Sequence, residues 1–190
     1  MDNGKMNEPR PSNSDVRDLV KKAKKNDSHA FALLYEMVYE DLYKMALYTL
    51  CSKEDAEDAV SETVLEAYVG IKKLRDETAF RGWIFKILSN KCKKQIAEYM
   101  KNRANVESEP VEEFNDIQSE GASTEDVVVN QQLLEKAFEA ISAEDRLIVT
   151  MVVYGGYDSK EIANELKINR NTVRSRYKRA LEKMQKFITG

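Results

Sequence analysis

Five cations lie within the thirteen residues of "NRNTVRSRYKRAL", positions 169 to 181, and no acid lies among them. The whole chain is nevertheless acidic, with 30 Lys and Arg against 33 Asp and Glu in 190 residues. Clustered cations bind phosphate, and short polar side chains between them can pair with base edges. Arg170 and Arg174 lie near the N-terminal end of the expected helix, where the macrodipole disfavours cations. This favours DNA binding over the alternative of a solvated cationic face.

A second candidate interface is acidic. The segment "EDAEDAVSETVLE", 54 to 66, carries six acids and no base. A helix with such a face can meet a basic partner, whereas the alternative is a solvated acidic surface. Helical carboxylates can also hold Mg²⁺, but that site needs a second acidic helix facing the first. The other N-terminal helices are not comparably acid-rich, so the pattern disfavours a metalloenzyme.

Other catalytic chemistry has little support in the composition. Cys51, Cys92 and His29 are the only cysteines and histidine, too few for a Cys- or His-rich zinc site. Both cysteines fall in helical patterns and are expected to be buried, reduced thiols. We therefore expect no metal, no cofactor and no enzymatic activity.

The elements that must position these residues are helices. The chain has only 7 Gly and 3 Pro, is 33% charged and has helical apolar periodicity almost throughout, which predicts an all-α protein. Residues 1–13 are expected to form a disordered tail. Residues 14–103 are expected to form a helical bundle, with helices over about 15–26, 28–50, 52–71 and 79–103.

A second helical domain follows an acidic linker. Residues 104–124 lack periodicity and contain Pro110 and Gly121, which predicts a flexible linker. Residues 125–190 are expected to form a small domain that ends in a helix-turn-helix. Asp158 and Glu161 have capping-box spacing, and Asn169 can cap the second helix. The inner stripe of that helix is predicted to hold Val173, Tyr177, Ala180, Leu181 and Met184.

The turn between these two helices has an unusual residue. Lys167 stands where glycine is common, and left-handed geometry there costs a lysine about 1 kcal/mol. Ile168 and Val173 have the spacing of a hydrophobic staple, which would hold the turn. On the outer face of the second helix, Asn171, Ser175 and Lys178 are flanked by arginines.

Targeting signals are not expected in this chain. The N-terminal residues lack the apolar core of a signal peptide, and no run of about 18 apolar residues occurs. We therefore expect no stable membrane insertion and a cytoplasmic location.

Two signature stretches resemble region 2 of bacterial sigma factors. They are "DAEDAVSETVLEAY", 55 to 68, and "AFRGWIFKILSNKCKKQI", 79 to 96. The terminal "SKEIANELKINRNTVRSRYKRAL" resembles their region 4, and nothing resembling region 3 lies between. This layout is typical of the extracytoplasmic-function (group IV) sigma factors, and the resemblance covers about residues 15 to 188.

The resemblance implies how the chain works. It implies a subunit that binds core RNA polymerase and promoter DNA, with region 2 at the minus-10 element and region 4 at the minus-35 element. The implied polymerase contacts are Asp55, Glu57, Asp58 and Glu62. The implied minus-10 contacts are Arg75, Asp76, Glu77, Thr78, Asn90, Lys91 and Lys94. The implied minus-35 contacts are Arg170, Asn171, Thr172, Arg174, Ser175, Lys178 and Arg179.

Several alternatives stay open from sequence. Phe80 and Trp83 could stack on bases, although their spacing fits core packing better. The family often has an anti-sigma factor as a partner, and no residue here shows whether one exists. A helix-turn-helix regulator that binds DNA alone, or a helical protein-interaction module, would share many of these features.

Overall fold

A computed structural model describes the backbone of residues 13–105 and 125–189, and the side chains of residues 14–102 and 132–189. Within these ranges the fold is all α, and no strand occurs. Two short 3-10 turns, Ile71–Lys73 and Glu77–Ala79, precede the fifth helix. The helices are α1 (Asn13–Ala23), α2 (Ser28–Glu36), α3 (Tyr39–Leu50), α4 (Lys53–Gly70), α5 (Phe80–Asn105), α6 (Glu125–Glu139), α7 (Ala143–Val153), α8 (Ser159–Leu166) and α9 (Arg170–Thr189).

Short polar side chains fix where several helices begin. Asp27, Ser52, Ser142 and Asp158 each accept a hydrogen bond from a backbone N–H in the first turn of the helix that follows. This satisfies donors that a helix N-terminus otherwise leaves unpaired. These boundaries are therefore set by side chains within a few residues of each helix start.

The prediction of one helix over residues 28–50 is wrong. The chain breaks between α2 and α3, where Val38 has φ −121° and ψ −10° and its side chain is buried. No Gly or Pro lies in this stretch, so tertiary packing makes the break. The break lets α2 pack on α1 while α3 turns to run along α4 and α5.

Large apolar side chains fill the N-terminal half, α1 to α5. Leu34, Leu42, Met45, Ile84 and Phe85 are each fully buried in one continuous core. On α4, the inward positions are small and let α3 approach closely. These positions are Ala56, Ala59 and Ala67.

The C-terminal half, α6 to α9, packs around α7 and α9. Its buried residues include Phe138, Ile148, Met151 and Met184. The two halves also contact each other, since α7 lies against α3 and α5. The predicted tail and most of the predicted linker, residues 1–12 and 106–124, lie outside the described residues.

The two cysteines and the single histidine differ in burial. Cys51 and Cys92 are buried free thiols, and burial raises the pKa of Cys92 to about 12. His29 has an exposed side chain near the start of α2. In the part of the chain that the structure describes, no helix is long and apolar enough to cross a bilayer. Over the same ranges, no group of three or more metal-ligating side chains occurs.

Candidate nucleic-acid interface

The helix-turn-helix of α8 and α9 is held by reciprocal caps. The Asp158 carboxylate accepts from the N–H of Lys160 at 2.6 Å and of Glu161 at 2.8 Å. The Glu161 carboxylate in turn accepts from the Asp158 N–H at 2.8 Å, which completes the predicted capping box. These hydrogen bonds lower the pKa of Asp158, so the cap stays ionised over the neutral pH range.

The turn has the geometry that the sequence predicts. Lys167 adopts left-handed geometry with φ 56°, and its N–H donates to the Ala163 carbonyl. The Asn169 side chain accepts from the Asn171 N–H at 2.7 Å, which caps α9. Ile168 and Val173 both pack against the core, and Val173 is buried. The packed turn thus offsets the cost of a lysine in this conformation.

One face of α9 is buried in the C-terminal half. Val173, Ala180 and Met184 are buried, and Tyr177 packs partly against them. The prediction that Leu181 belongs to this stripe is wrong, because its side chain is 39% exposed. Leu181 follows Ala180, and one residue turns the helix by about 100°, away from the core.

The opposite face of α9 is open to solvent. All seven residues predicted to contact the minus-35 element have exposed side chains. Their interactions are local: Arg170 Nε donates to the Ser159 hydroxyl at 2.9 Å, and Lys178 lies 3.8 Å from the Glu182 carboxylate. No ion pair forms at Arg174 among the described side chains, so this face presents cations ready for an anionic ligand.

Arg176 differs from its cationic neighbours. It is only 24% exposed, and its guanidinium contacts Asp145 at 2.6 Å and Glu144 at 3.0 Å at the start of α7. Burial lowers the pKa of Arg176, but hydrogen bonds and charge from these two acids outweigh burial and raise it. One arginine of the basic cluster therefore ties α9 to α7 instead of facing solvent.

The loop before α5 is ordered by its own side chains. Asp76 accepts from the Thr78 N–H at 2.9 Å and from its hydroxyl at 2.7 Å, and these bonds lower the Asp76 pKa. Glu77 binds Lys24 of α1 at 2.6 Å. Arg75, Asp76 and Thr78 are exposed, so the loop presents donors and acceptors from a defined conformation.

The predicted minus-10 residues of α5 occupy different environments. Asn90 and Lys94 are exposed, and Lys94 lies 3.7 Å from Glu98. Lys91 instead faces α4, where its ammonium contacts Glu66 at 2.9 Å and Glu62 at 3.2 Å. The pKa of Lys91 is raised, mainly by its hydrogen bond to Glu66 and further by its contact with Glu62. Lys91 is therefore already paired with two acids.

The aromatic residues near this loop are part of the core, as their spacing favours. Phe80 is buried, with its ring centroid 6.5 Å from that of Phe31. Trp83 is partly buried, and a Cβ placed on Gly70 would lie 3.3 Å from its Cζ2. Glycine thus allows the close approach of the indole to the end of α4.

The acidic face of α4 is mostly exposed. Glu57, Asp58 and Glu62 are exposed, while Asp55 is partly covered and accepts from the Tyr99 hydroxyl at 2.6 Å. This hydrogen bond is the main reason why the pKa of Tyr99 is raised to about 12. Glu62 is shared with Lys91, whereas Glu57 and Asp58 form no ion pair among the described side chains and stay available for a basic partner.

Family models match both halves in the expected order. The model of Sigma-70 region 2 matches residues 34–101, and that of Sigma-70 region 4 matches residues 131–184. The first match spans α3 to most of α5, and the second spans most of α6 to α9. Together they cover well over half of the chain.

Curated relatives align across both halves of this chain. SigM of Mycobacterium tuberculosis, an extracytoplasmic-function (ECF) sigma factor, is 26% identical over 163 residues, 85% of this chain and 79% of its own. The ECF factor SigW of Bacillus subtilis is 24% identical over 178 residues, 90% of this chain and 95% of its own. The chain belongs to the extracytoplasmic-function sigma factors.

Solved structures agree with the fold of this sigma factor. RpoE of Bartonella quintana, in complex with the anti-sigma factor NepR, aligns with a TM-score of 0.65 and 20% identity, over 83% of this chain and 96% of its own. CnrH, in complex with the cytosolic domain of CnrY, aligns with a TM-score of 0.61 and 18% identity, over 92% and 97%. At these identities the likeness concerns the fold.

Sequence reasoning about this sigma factor missed part of the α4 surface. Leu65 and Val69 are 68% and 77% exposed beside Glu62 and Glu66. They are four residues apart, a spacing that places both on one helix face. In the helical repeat, Leu65 and Val69 fall on a different face from the inward alanines, and this offset could have identified them from the sequence. An apolar strip inside an acidic face is typical of a protein-binding surface.

Proposed function

We propose that this chain binds core RNA polymerase through α4 and directs transcription initiation at specific promoters. The sigma-70 matches to both halves carry this proposal. The polymerase performs the chemistry, and the chain supplies recognition. It acts in the cytoplasm, where polymerase and promoters are found.

The C-terminal half reads the minus-35 element as duplex. The α9 helix presents Asn171, Thr172 and Ser175 near its N-terminus, and such short polar residues can reach base edges in a major groove. Arg170, Arg174, Lys178 and Arg179 surround them and supply phosphate contacts. The exposure of all seven side chains supports this role.

The N-terminal half binds the minus-10 element as an opened strand. The loop at Arg75 to Thr78 offers both donors and acceptors, which can pair with the Watson–Crick edge of a flipped base. Asn90, Lys91 and Lys94 lie on the helix that follows and would hold the strand and its phosphates. The ordered Asp76–Thr78 turn supports a preformed pocket.

Polymerase docks on the acidic face of α4. Asp55, Glu57, Asp58 and Glu62 meet a basic surface of the enzyme, and the exposed Leu65 and Val69 add apolar contact. An anti-sigma factor is a further proposed partner, since the sigma factor RpoE of Bartonella quintana was solved in complex with the anti-sigma factor NepR.

Reconstitution with core polymerase tests the function. The expected result is co-elution with the core enzyme and initiation at a promoter that the core enzyme alone ignores. A protein that shifts duplex DNA but ignores polymerase would instead be a stand-alone helix-turn-helix regulator. A protein that does neither would be an interaction module.

A charge reversal tests the docking surface. Asp58→Lys combined with Glu62→Lys should weaken polymerase binding at least about tenfold, because each close like-charge contact costs on the order of 1 kcal/mol or more. Duplex binding by the full-length variant should not fall. The matched control is Asp18→Lys with Glu36→Lys, which reverses two exposed acids on α1 and α2. Equal polymerase affinity for both variants would refute docking on α4.

A further inference from the structure

The first helix carries a row of cations that the proposed function leaves unused. Arg17 and Lys21 of α1 are four residues apart and Lys24 follows three residues later, a spacing that places all three on one helix face. The helical repeat holds as far as Lys24, because its N–H donates to the Val20 carbonyl at 2.9 Å. Cations in the last turn of a helix suit the macrodipole, but Arg17 lies before the last turn of α1. The macrodipole therefore does not account for Arg17.

This row of cations borders the loop proposed to capture a base. Lys24 donates to the Glu77 carboxylate at 2.6 Å, and both side chains are partly buried. The pKa of Glu77 is lowered chiefly by this hydrogen bond, and the charge of Arg17 adds to the effect. Hydrogen bonds from Thr78 chiefly lower the pKa of Asp76, and the charge of Arg17 lowers it further. Arg17 and Lys24 thus lie on the side of α1 that faces the loop.

The 3-10 turn before the loop adds two more cations. Lys72 and Lys73 are exposed, and α1 packs against this turn as well as against the turn Glu77–Ala79. Among the side chains that the structure describes, no ion pair forms at Lys72, Lys73 or Arg17. The acids of the loop therefore do not neutralise this surface, and a surplus of positive charge remains.

The predicted minus-10 contacts on α5 lie in another direction from the loop. Asn90 and Lys94 are ten and fourteen residues beyond Phe80, so they lie about 15 and 21 Å along the helix. A strand whose base is held at the loop continues in two directions from that base, and α5 can accompany only one of these two arms. Since α1 borders the loop at the start of α5, its cations are placed for the other arm.

We propose that four cations form a second phosphate-binding track for the opened minus-10 strand. This α1 track consists of Arg17 and Lys21 of α1 with Lys72 and Lys73 of the turn before the loop. It binds the arm that leads away from α5, without base preference, because phosphates carry no sequence information. Lys24 stays paired with Glu77 and positions the loop. This inference rests on the proposed function, since it assumes that the loop captures a base.

The surroundings of the α1 track favour nucleic acid over a protein partner. Protein interfaces have an apolar core, yet no large apolar side chain of α1 or of the turn Ile71–Lys73 is exposed in the described chain. The α4 face proposed to dock on polymerase differs, since Leu65 and Val69 are exposed among its acids. A flexible strand needs only spaced cations, because phosphate contacts supply most of the non-specific affinity for nucleic acid.

Charge removal in the holoenzyme tests the α1 track. The probe is a fluorescent single strand that carries the minus-10 element of a promoter at which the reconstituted enzyme initiates, extended on both sides. Arg17→Ala with Lys21→Ala should weaken its binding at least about threefold, and the salt slope should fall by about 1.4, since each single-strand phosphate contact contributes about 0.7. Lys22→Ala with Lys160→Ala, at exposed cations outside the track, is the matched control and should bind as the unaltered protein does.

Truncation of the strand identifies which arm the α1 track holds. Removal of nucleotides on one side of the element should weaken binding by the unaltered protein and abolish its advantage over the variant Arg17→Ala with Lys21→Ala. Removal on the other side should leave that advantage unchanged. Lys72→Ala with Lys73→Ala should depend on the same side. A defect that persists equally with both truncated strands would mean that the cations act through the loop acids, and it overturns the track.

Polymerase affinity is measured in parallel. The variant Arg17→Ala with Lys21→Ala should bind core polymerase as tightly as the unaltered protein does. If polymerase binding falls while strand binding by the saturated holoenzyme is unchanged, the cations contact the enzyme and the track is overturned. Equal strand binding by this variant and its control overturns the track alone. An unaltered holoenzyme that binds no minus-10 strand overturns the proposed function and the track with it.

Discussion

The two DNA-reading surfaces proposed here differ in how their charges are occupied. The outer face of α9 is exposed, and Arg174 has no ionic partner among the described side chains. In the minus-10 region, Lys91 is held by two acids and Glu77 by Lys24. The first surface can therefore bind without rearrangement, whereas the second must exchange protein partners for nucleic acid. A duplex with fixed geometry suits the first, and an opened strand suits the second.

Removal of the α9 cations should give the largest effect. Arg174→Ala with Lys178→Ala should reduce promoter-dependent transcription at least about tenfold, since each DNA contact is worth about 1–3 kcal/mol. If the contacts are to phosphate, the salt slope of binding should fall by about 0.9 per residue. Lys183→Ala, a cation on another face of α9, is the control. Unchanged transcription from the double variant would refute the minus-35 role of α9.

Arg176 is expected to stabilise the fold, whereas its exposed neighbours in the basic cluster are expected to bind DNA. Its ion pairs with Glu144 and Asp145 are partly buried, so Arg176→Ala should lower the free energy of unfolding by about 1–2 kcal/mol. Arg179→Ala, at an exposed position, should change it by less than about 0.5 kcal/mol. Urea denaturation of both variants makes the comparison. Equal stability of the two would contradict the tie between α9 and α7.

Lys91 should reveal whether the minus-10 surface is restrained. Glu66→Gln removes one of its two partners and should strengthen holoenzyme binding to a minus-10 single strand by about twofold, since exposed ion pairs are worth at most about 1 kcal/mol. Lys91→Ala should weaken that binding by about two- to threefold. Fluorescence anisotropy of a labelled strand measures both. If Glu66→Gln weakens binding, the Glu66 carboxylate orients Lys91 and does not compete with DNA for it.

The smallest expected effect concerns the loop before α5. Hydrogen bonds from Thr78 lower the pKa of Asp76 below its usual 3.8, so the turn persists as pH falls through 3.8 and is lost only as pH falls through the lowered value. The Thr78 amide resonance, followed by NMR during acid titration, reports this. Thr78→Ala should move the midpoint of the Asp76 titration up towards 3.8. An unchanged midpoint would mean that the loop is not preformed.

Local chemistry explains what the sequence could predict. The capping box at Asp158, the Asn169 cap and the left-handed Lys167 depend on neighbours within a few residues. The exposure of the α9 face follows from the helical repeat and from one apolar stripe. The buried cysteines and the packing of Phe80 were predictable for the same reason. The division at residues 103 and 125 and the roles of individual site residues stay predictions.

Long-range packing explains what the sequence missed. Nothing local breaks the helix at Val38, because the break depends on how α2 and α3 pack on other helices. The pairing of Lys91 with Glu62 and Glu66 joins α5 to α4 across 25 residues or more. The ion pair between Glu165 and Lys93 joins residues that are 72 positions apart in the sequence. Charge patterns along the sequence cannot show which of these side chains satisfy one another.

Trp83 gives the N-terminal half a built-in optical probe. It is the single tryptophan of the chain, and its indole packs on Gly70 beside the loop proposed to capture a base. Excitation at the red edge of ultraviolet absorption excites tryptophan and not tyrosine, so the emission reports on this half alone. Strand capture can be timed by stopped-flow emission from the unlabelled protein.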